Sequence, residues 1–163
     1  MKIIHFLRGL PASGKTTWAL AKLNQVNNET GNAAVRVNKD EIRTLIGATD
    51  GSREGEVARY QLCLVTKAAK EGVDIIIDDT NLYVGNERRF RKLAERFGYR
   101  FEVHSFLHVS VDECIRRDRI REQPVGEAVI VKLFEKYVAR CEPQPNWKLG
   151  SLLMFPRNTD RDK

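Results

Sequence analysis

The chain has 163 residues, of which 42% are hydrophobic, and it carries a net charge of +6 with a pI near 9.4. This length suits one domain around one core and leaves little room for two full domains, so we expect a single domain over residues 1–163. No apolar run approaches the roughly 18 residues that a membrane helix needs, so we expect no membrane partner and a cytoplasmic location. The positive charge fits a phosphate-rich partner, although charge alone does not identify nucleic acid.

The first predicted strand, 3–7, leads directly into the sequence GLPASGKTT. Gly9 to Thr16 match the pattern G-x-x-x-x-G-K-T, which is typical of a loop whose backbone N–H groups surround phosphates between a strand and a helix. In such a loop Lys15 reaches the β- and γ-phosphates and the Thr16 hydroxyl binds Mg²⁺. A helix-capping turn that matches by chance is the alternative. The pattern predicts a nucleoside triphosphate site formed by Gly9, Ala12, Ser13, Gly14, Lys15, Thr16 and Thr17.

Later parts of the chain alternate between short apolar runs and stretches with helical spacing. Strands are predicted over 33–37, 73–77 and 101–107, and helices over 15–23, 52–72, 86–97, from Ser110, and over 127–140. In the helix over 52–72 we expect Val57, Tyr60, Leu64 and Ala68 to share the buried face. The alternation predicts an α/β fold, with a parallel sheet of four to five strands covered by helices on both faces. The tail after Pro143 is the candidate for an additional edge strand.

Two acids follow the third predicted strand, in the sequence IIIDDTN. Open α/β sheets build their sites at the carboxyl ends of their strands, so Asp78 or Asp79 is expected to hold a magnesium-bound water. Side chains alternate along a strand, so the two cannot both face one ion. The residues do not determine which of them does so. The alternative for each is a carboxylate that satisfies neighbouring backbone donors.

Asp40 and Arg43 follow the second strand and lie three residues apart, so they share one face if this segment is helical. Near a phosphate loop, such a pair could take a hydroxyl proton and hold an acceptor phosphate. It could equally be a surface ion pair worth less than about 1 kcal/mol. The residues alone leave both possibilities open.

Basic residues concentrate in two segments of the second half of the chain. Segment 116–121 contains four arginines, and segment 87–100 contains six basic residues against two acids. Both could face phosphates, or both could be solvated helix surfaces. Phe90 and Phe97 are expected in the core. The three cysteines lack zinc-site spacing and are expected to be reduced, and the three histidines lack metal-ligand spacing and are assigned no role.

The motifs GLPASGKTTW, VNKDEIR, IIIDDTNL, NERR and RRDRIR occur in an order and spacing that resemble the 5′-kinase domain of bacteriophage polynucleotide kinases. The resemblance covers about residues 1–140. The phosphate loop is shared by a very large superfamily, whereas the N-[KR]-D-x-x-R and D-T-N-L elements are more specific. The resemblance implies a P-loop kinase fold with a short arginine-rich lid, acting in nucleic-acid end repair, in the host cytoplasm if a phage encodes it.

The resemblance also implies roles for individual residues. Asp40 corresponds to the general base that activates the 5′-hydroxyl, and Arg43 to the arginine that binds the acceptor's phosphate. In the lid, Arg121 corresponds to the arginine on the transferring phosphoryl group and Arg117 to a base-stacking or nucleotide contact. Asp79 is assigned to the metal site together with Thr16, and substrate binding is assigned to Thr80 and Asn81.

The chain departs from the family pattern in three places. The loop between Asn81 and Asn86 is longer, and segment 116–121 matches the lid only through its basic spacing. The chain also contains no D-x-D-G-T motif of the C-terminal phosphatase domain that bifunctional members carry.

We therefore expect a Mg²⁺-dependent kinase that transfers the γ-phosphoryl group of ATP to the 5′-hydroxyl of DNA or RNA. One alternative is a P-loop kinase for a nucleoside, sugar or antibiotic, which would need a closed polar pocket. The other is a nucleotide-binding switch module without catalysis, which would not need Asp40 near an acceptor.

Overall fold

A computed structural model describes residues 1–29 and 33–139. In chain order the elements are β1 (Ile3–Arg8), α1 (Lys15–Asn24) with a π-helical turn (Gln25–Glu29), β2 (Ala34–Val37), α2 (Lys39–Leu45), α3 (Glu54–Glu71), β3 (Asp74–Ile77), α4 (Val84–Phe97), β4 (Arg100–Ser105), α5 (Val111–Arg119) and α6 (Glu127–Tyr137). The strands form one sheet in the order β2-β3-β1-β4, and each neighbouring pair is parallel. The α/β prediction is confirmed, with four strands in the described part of the chain. The predicted edge strand after Pro143 lies outside the described residues.

Helices cover both faces of the sheet, as the apolar strands require. Ile4, Phe6, Ile75 and Ile77 are fully buried on the face that packs against α3 and α4. The residues that alternate with them point to the other face, where Leu7 and Ile76 pack against α1 through Ala19. A third apolar cluster joins α5 and α6 to Leu10. The two central strands, β1 and β3, thus have two buried faces, which explains their nearly continuous apolar sequences.

The buried face of α3 differs from the predicted one. Val57 and Ala68 are buried as expected, but Tyr60 and Leu64 are 47% and 44% exposed. Their neighbours Gln61 and Val65 lie in the core instead. The buried stripe is therefore displaced by one residue, because the polar Gln61 takes a core position.

Other predictions about side chains can be compared directly with the structure. Phe90 is buried, and Phe97 packs partly buried against the same cluster, so both belong to the core as predicted. Cys63 and Cys114 are free thiols. Cys141 lies outside the described residues. None of the described helices is both long enough and apolar enough to span a bilayer.

The parallel order brings the carboxyl ends of all four strands to one edge of the sheet. The loop before α1, the N-terminus of α2 and the segment after β3 meet at this edge. All the motifs singled out in these segments are therefore neighbours in space.

Candidate active site

The loop between β1 and α1 has the backbone geometry of a phosphate loop. Gly14 has a φ of +100° and Ala12 a φ of +59°, so two residues of the loop are left-handed. Gly9 donates its N–H to Thr80 O at 3.0 Å, which ties the loop to the end of β3. A Cβ atom on Gly9 would lie 2.8 Å from both Phe106 Cβ and Ser13 Oγ. Close packing thus gives a reason for glycine at this position, beside the phosphate contact predicted from sequence.

Lys15 is the buried cation of this loop. Its side chain folds back, and Nζ donates to Leu10 O at 2.6 Å and to Ser13 Oγ at 3.3 Å. Burial lowers the pKa of Lys15 to about 8, against the opposing attraction of Asp78. Among the described residues no carboxylate forms an ion pair with its ammonium, and bound phosphate would supply an anionic partner.

Two adjoining clefts open at the phosphate loop. The first, of about 360 Å³, is lined by Lys15 and Thr16 together with the predicted residues Asp40, Arg43, Asp79, Thr80 and Asn81. The second, of about 380 Å³, is lined by Ala12, Gly14, Lys15, Thr16, Thr17, Arg117 and Arg121. Lys15, Thr16, Ala12 and Arg121 belong to both clefts. Of the predicted site residues, Gly9 and Ser13 alone line neither cleft, and both are buried.

Asn38 caps α2, the helix that carries Asp40 and Arg43. Its Oδ1 accepts hydrogen bonds from Asp40 N at 2.8 Å and Glu41 N at 3.2 Å, and its Nδ2 donates to Asp78 O. Such a cap fixes the first turn of a helix. The start of α2 is thus anchored to the end of β3, and Asp40 projects from it into the first cleft.

Arg43 forms ion pairs with two acids. Its Nη1 donates to Asp40, while Nε and Nη2 donate to the two carboxylate oxygens of Glu54 at 2.6 and 2.8 Å. These hydrogen bonds raise the pKa of Arg43 and lower the pKa of Glu54. The Asp40 side chain remains 85% exposed. The ion pair that the sequence allowed is therefore present, and both residues line the first cleft, while their roles toward an acceptor stay predictions.

Asp78 and Asp79 have different partners, although both line the first cleft. Asp78 is 1% exposed and accepts from Arg36 Nε at 2.8 Å, so a guanidinium neutralises it. Asp79 accepts from Lys39 N at 2.9 Å and from the amide of Gln61, which are both neutral donors. Burial raises the pKa of Asp79. A nearby cation would stabilise its ionised form, which favours Asp79 over Asp78 as the metal-facing acid.

Thr80 and Asn81 connect the end of β3 to β1. Asn81 has a left-handed φ of +47° and its Nδ2 donates to Leu7 O at 2.8 Å. Its Oδ1 is buried and has no hydrogen-bond partner among the described residues. Asn81 therefore braces the loop, and its substrate-binding role stays a prediction.

The arginine-rich segment divides into two pairs. Arg117 and Arg121 line the second cleft, where Arg117 Nε donates to Glu113 at 2.6 Å. Arg116 and Arg119 pair with Glu113 and Glu127 and line neither of the two clefts. The turn after α5 is held by buried Asp118, which accepts from the backbone N–H groups of residues 125 and 126 at 3.2 and 2.8 Å.

Three residues of the site do not stand out in the sequence. Glu54 pairs with Arg43 from eleven positions away, and Arg36 on β2 reaches Asp78 at the end of the neighbouring strand β3. Gln61 donates to Asp79 from the buried stripe of α3. Asn86, the first residue of the NERR motif, also lines the first cleft. Of the three, a signal existed only for Gln61, since it occupies an apolar helical stripe at i+4 from Val57 and i−4 from Val65.

Comparisons with known proteins agree with this architecture. The chain is 23% identical over 146 residues to a protein of Autographa californica nuclear polyhedrosis virus that is provisionally named a bifunctional polynucleotide kinase/RNA ligase, covering 84% of this chain and 21% of the relative. It is 25% identical over 138 residues to the L-seryl-tRNA(Sec) kinase of Methanococcus maripaludis, covering 83% of this chain and 52% of the relative. The chain thus spans about half or less of these relatives' lengths.

Solved structures show the same fold. The Mycobacterium tuberculosis APS kinase CysC, in complex with AMPPNP and APS, superposes with a TM-score of 0.61 at 21% identity, over 73% of this chain and 69% of that one. A family model described as an AAA domain matches residues 4–144, which include the phosphate loop, both clefts and, except for Ile3, all four described strands. The chain therefore belongs to this AAA domain family, AAA_33, and shares its fold with the APS kinase.

Proposed function

We propose that this domain transfers the γ-phosphoryl group of ATP to the 5′-hydroxyl of a polynucleotide. The observation that carries the proposal is the common cleft lined by Lys15, Thr16, Asp40 and Arg43. It places a candidate base and a candidate acceptor-phosphate ligand beside the phosphate loop. The resemblance to bacteriophage polynucleotide kinases, and the name of the viral relative, support the same substrate class.

Asp40 is suited to accept the proton of the hydroxyl. Its carboxylate is 85% exposed, and its hydrogen bond to Arg43 leaves lone pairs free for a substrate donor. A general base has to lie within hydrogen-bond reach of the hydroxyl in the bound complex. We infer that an acceptor in the first cleft would bring its hydroxyl within this reach of Asp40, because Asp40 lines that cleft.

Arg43 is suited to hold the phosphate next to the acceptor nucleoside. Three of its five N–H groups are engaged, by Asp40 and by both oxygens of Glu54. One N–H on each terminal nitrogen stays available, so a phosphate can bind without breaking the pair with Glu54. Glu54 then acts by orienting the guanidinium.

The donor side is formed by the phosphate loop and the arginines of the second cleft. Lys15 and Arg121 line both clefts, so they lie where the γ-phosphoryl group would pass between donor and acceptor. Their charges oppose the negative charge that spreads over the equatorial oxygens in the transition state. Arg117 lines only the second cleft, on the side of the phosphate donor, and is suited to contact the nucleotide itself.

The donor set at the sheet edge fits Mg²⁺. Thr16, Asp78 and Asp79 offer hard oxygen ligands, and Asp79 has only neutral hydrogen-bond donors around its carboxylate. We assign Thr16 and Asp79 to holding the ion, directly or through water. When bound, the ion supplies positive charge against the β- and γ-phosphates.

The outer surface of α4 favours a polynucleotide over a small acceptor. Asn86, near the start of α4, lines the first cleft, and exposed Arg88, Arg89 and Lys92 follow it on the same helix. None of these three cations forms an ion pair within the described part of the chain. A strand whose 5′ end enters the cleft could continue along them, where phosphate contacts would add to the affinity.

A small-molecule kinase is the second candidate. Three apolar residues, Val125, Val129 and Leu133, line the same cleft. They could pack against the sugar and base of a free nucleoside as readily as against a terminal nucleotide. Substrate competition has to distinguish the two.

A transfer assay with labelled ATP and Mg²⁺ tests the proposal. The acceptors are 5′-hydroxyl DNA and RNA oligonucleotides, the same oligonucleotides with a 5′-phosphate, free nucleosides, sugars and APS. We expect label only on the 5′-hydroxyl oligonucleotides. Label on a small acceptor alone would establish the second candidate, and ATP binding without transfer to any acceptor would indicate a switch module.

Replacing Arg43 separates the two substrates. In Arg43→Ala we expect the KM for an oligonucleotide acceptor to rise at least tenfold, while the Kd for ATP changes less than twofold. The reason is that Arg43 lines the first cleft and not the second. Arg53→Ala is the control, since this exposed arginine pairs with Glu56 and lines neither cleft. Weaker ATP binding with an unchanged acceptor KM would place Arg43 on the donor side.

A further inference from the structure

Two histidines and a glutamate meet on β1 and β4, on the sheet face that α1 covers. His5 Nδ1 lies 3.0 Å from His104 Nε2 and 3.5 Å from Glu102 Oε2, and His104 Nε2 lies 3.7 Å from Glu102 Oε2. The parallel register produces this cluster, because His5 pairs with Glu102 and His104 is two residues further along β4. The expectation that the histidines have no role was based on sequence spacing, and strand pairing overturns that reason.

We propose that His5, Glu102 and His104 bind a divalent transition-metal ion such as Zn²⁺. Tetrahedral zinc with bonds of about 2.0–2.1 Å holds its ligand atoms about 3.3–3.5 Å apart. The three separations in the cluster, from 3.0 to 3.7 Å, bracket this value. Small side-chain movements would therefore suffice for coordination, and the fourth position would take water or a small anion.

Hydrogen bonding within the cluster leaves the three ligand atoms incompletely satisfied. Two neutral imidazoles that face each other share one proton between His5 Nδ1 and His104 Nε2. Glu102 Oε2 lies 3.5 and 3.7 Å from them, beyond ordinary hydrogen-bond distance. A cation between the three atoms would satisfy all of them at once.

Neighbouring groups already orient the ligands. Arg100 Nε forms an ion pair with Glu102 Oε1 at 2.9 Å, while Oε2 is the carboxylate oxygen near the histidines. Such support for a ligand from a second layer of residues is usual in metal sites. Burial and mutual repulsion lower the pKa of His5 to about 4, and burial lowers the pKa of His104, so both rings are in the neutral, metal-binding form at pH 7.

The position of the cluster suggests a structural ion. β4 is an edge strand in the described sheet, and the ion would join it to the central strand β1. The Trp18 ring lies 4.2 Å from that of His104 and 5.6 Å from that of His5, measured between centroids. Trp18 is on α1, the helix that follows the phosphate loop, so it would report on the ion.

Metal titration of chelator-treated protein tests this site without any activity measurement. The background is Trp147→Phe, which leaves Trp18 as the single tryptophan. We expect one equivalent of Zn²⁺ to bind by calorimetry, and Tm to rise by about 5–10 °C when free Zn²⁺ is about 100 times Kd. Co²⁺ should quench Trp18 and give a visible spectrum without a thiolate charge-transfer band, which would exclude the cysteines as ligands.

Matched variants assign the ligands. We expect Glu102→Gln and His104→Gln to weaken Zn²⁺ binding at least tenfold, and both positions are partly exposed, so the fold should survive and circular dichroism will verify this. His108→Gln is the control, because this exposed histidine lies outside the cluster. Unchanged affinity in both ligand variants, equal loss in the control, or no one-equivalent binding to the parent protein would overturn the proposal.

Discussion

Individual charges in the site are divided between those that the fold neutralises and those that it leaves accessible. Asp78 is 1% exposed and paired with Arg36, whereas Asp40 is 85% exposed at the start of α2. A buried charge without its partner is costly, so the pair of Asp78 with Arg36 stabilises the sheet edge only as long as both are present. The exposed side chain of Asp40 does not stabilise a buried charge in this way, so it is accessible to a substrate.

Gly9 provides a stability test at the scale of one residue. Gly9→Ala should lower the free energy of unfolding by about 1–3 kcal/mol, because the new Cβ would lie 2.8 Å from Phe106 Cβ and Ser13 Oγ. Gly55→Ala on α3 is the control, since a Cβ there has no neighbour within 4 Å. We expect it to be neutral or to stabilise by up to about 1 kcal/mol. Urea denaturation measures both, and equal stabilities would refute the close packing at Gly9.

Among the elements, the turn between α5 and α6 determines where Arg121 lies. Asp118, in the last turn of α5, is 2% exposed and accepts two backbone N–H groups from the segment before α6. It also lies 3.5 Å from Arg121. One carboxylate thus positions the arginine segment against the phosphate loop.

Asp118→Ala should therefore affect both stability and activity. We expect the free energy of unfolding to fall by about 2–3 kcal/mol, since charge-assisted hydrogen bonds to buried groups contribute in this range. Asp112→Ala, at the exposed first turn of α5, should cost less than about 1 kcal/mol. Chemical denaturation and kcat with saturating ATP are the measurements. An Asp118 variant as stable as the Asp112 variant would show that the turn is held by other contacts.

Helices and strands whose hydrophobic residues follow a clear pattern could be predicted from the sequence. Contacts between side chains of elements far apart in the sequence could not. The apolar runs gave all four strands to within two residues at each end. The predicted buried face of α3 was wrong by one residue because Gln61 is buried and donates a hydrogen bond to Asp79, eighteen positions later in the chain. The histidine cluster could not be seen at all, since it depends on the register between β1 and β4.

Over the described part of the molecule, the candidate site lies at the carboxyl edge of the sheet, and the exposed cations Arg88, Arg89 and Lys92 follow Asn86 of the first cleft along α4. Local motifs made the site residues predictable, because a phosphate loop and the sheet edge together determine which segments meet. Glu54 and Arg36 were missed because nothing near them in the sequence marks their partners. The substrate class could likewise not be read from one motif, because it depends on how charged side chains from several elements are distributed over the surface.

Salt dependence tests the role of α4 in strand binding. The double variant Arg88→Gln/Arg89→Gln should weaken oligonucleotide binding and reduce the slope of log K against log salt by about 0.7 per lost phosphate contact. Lys67→Gln/Lys70→Gln is the matched control, because these residues lie at the end of α3 that leads into the amino edge of the sheet. Fluorescence anisotropy over a range of salt concentrations gives both slopes. Equal effects from the two double variants would show that α4 is simply a solvated surface.

The most direct measurement is kcat of Asp40→Asn with a saturating 5′-hydroxyl oligonucleotide. Loss of a general base should lower kcat by about 10²- to 10⁴-fold. ATP affinity and Tm should barely change, because the side chain is 85% exposed and its ion pair is worth less than about 1 kcal/mol. Glu41→Gln, the same change at the next exposed acid of α2, should keep kcat near the wild-type value. A value for Asp40→Asn within about twofold of wild type, where chemistry is rate-limiting, would contradict the assignment of Asp40 as the base.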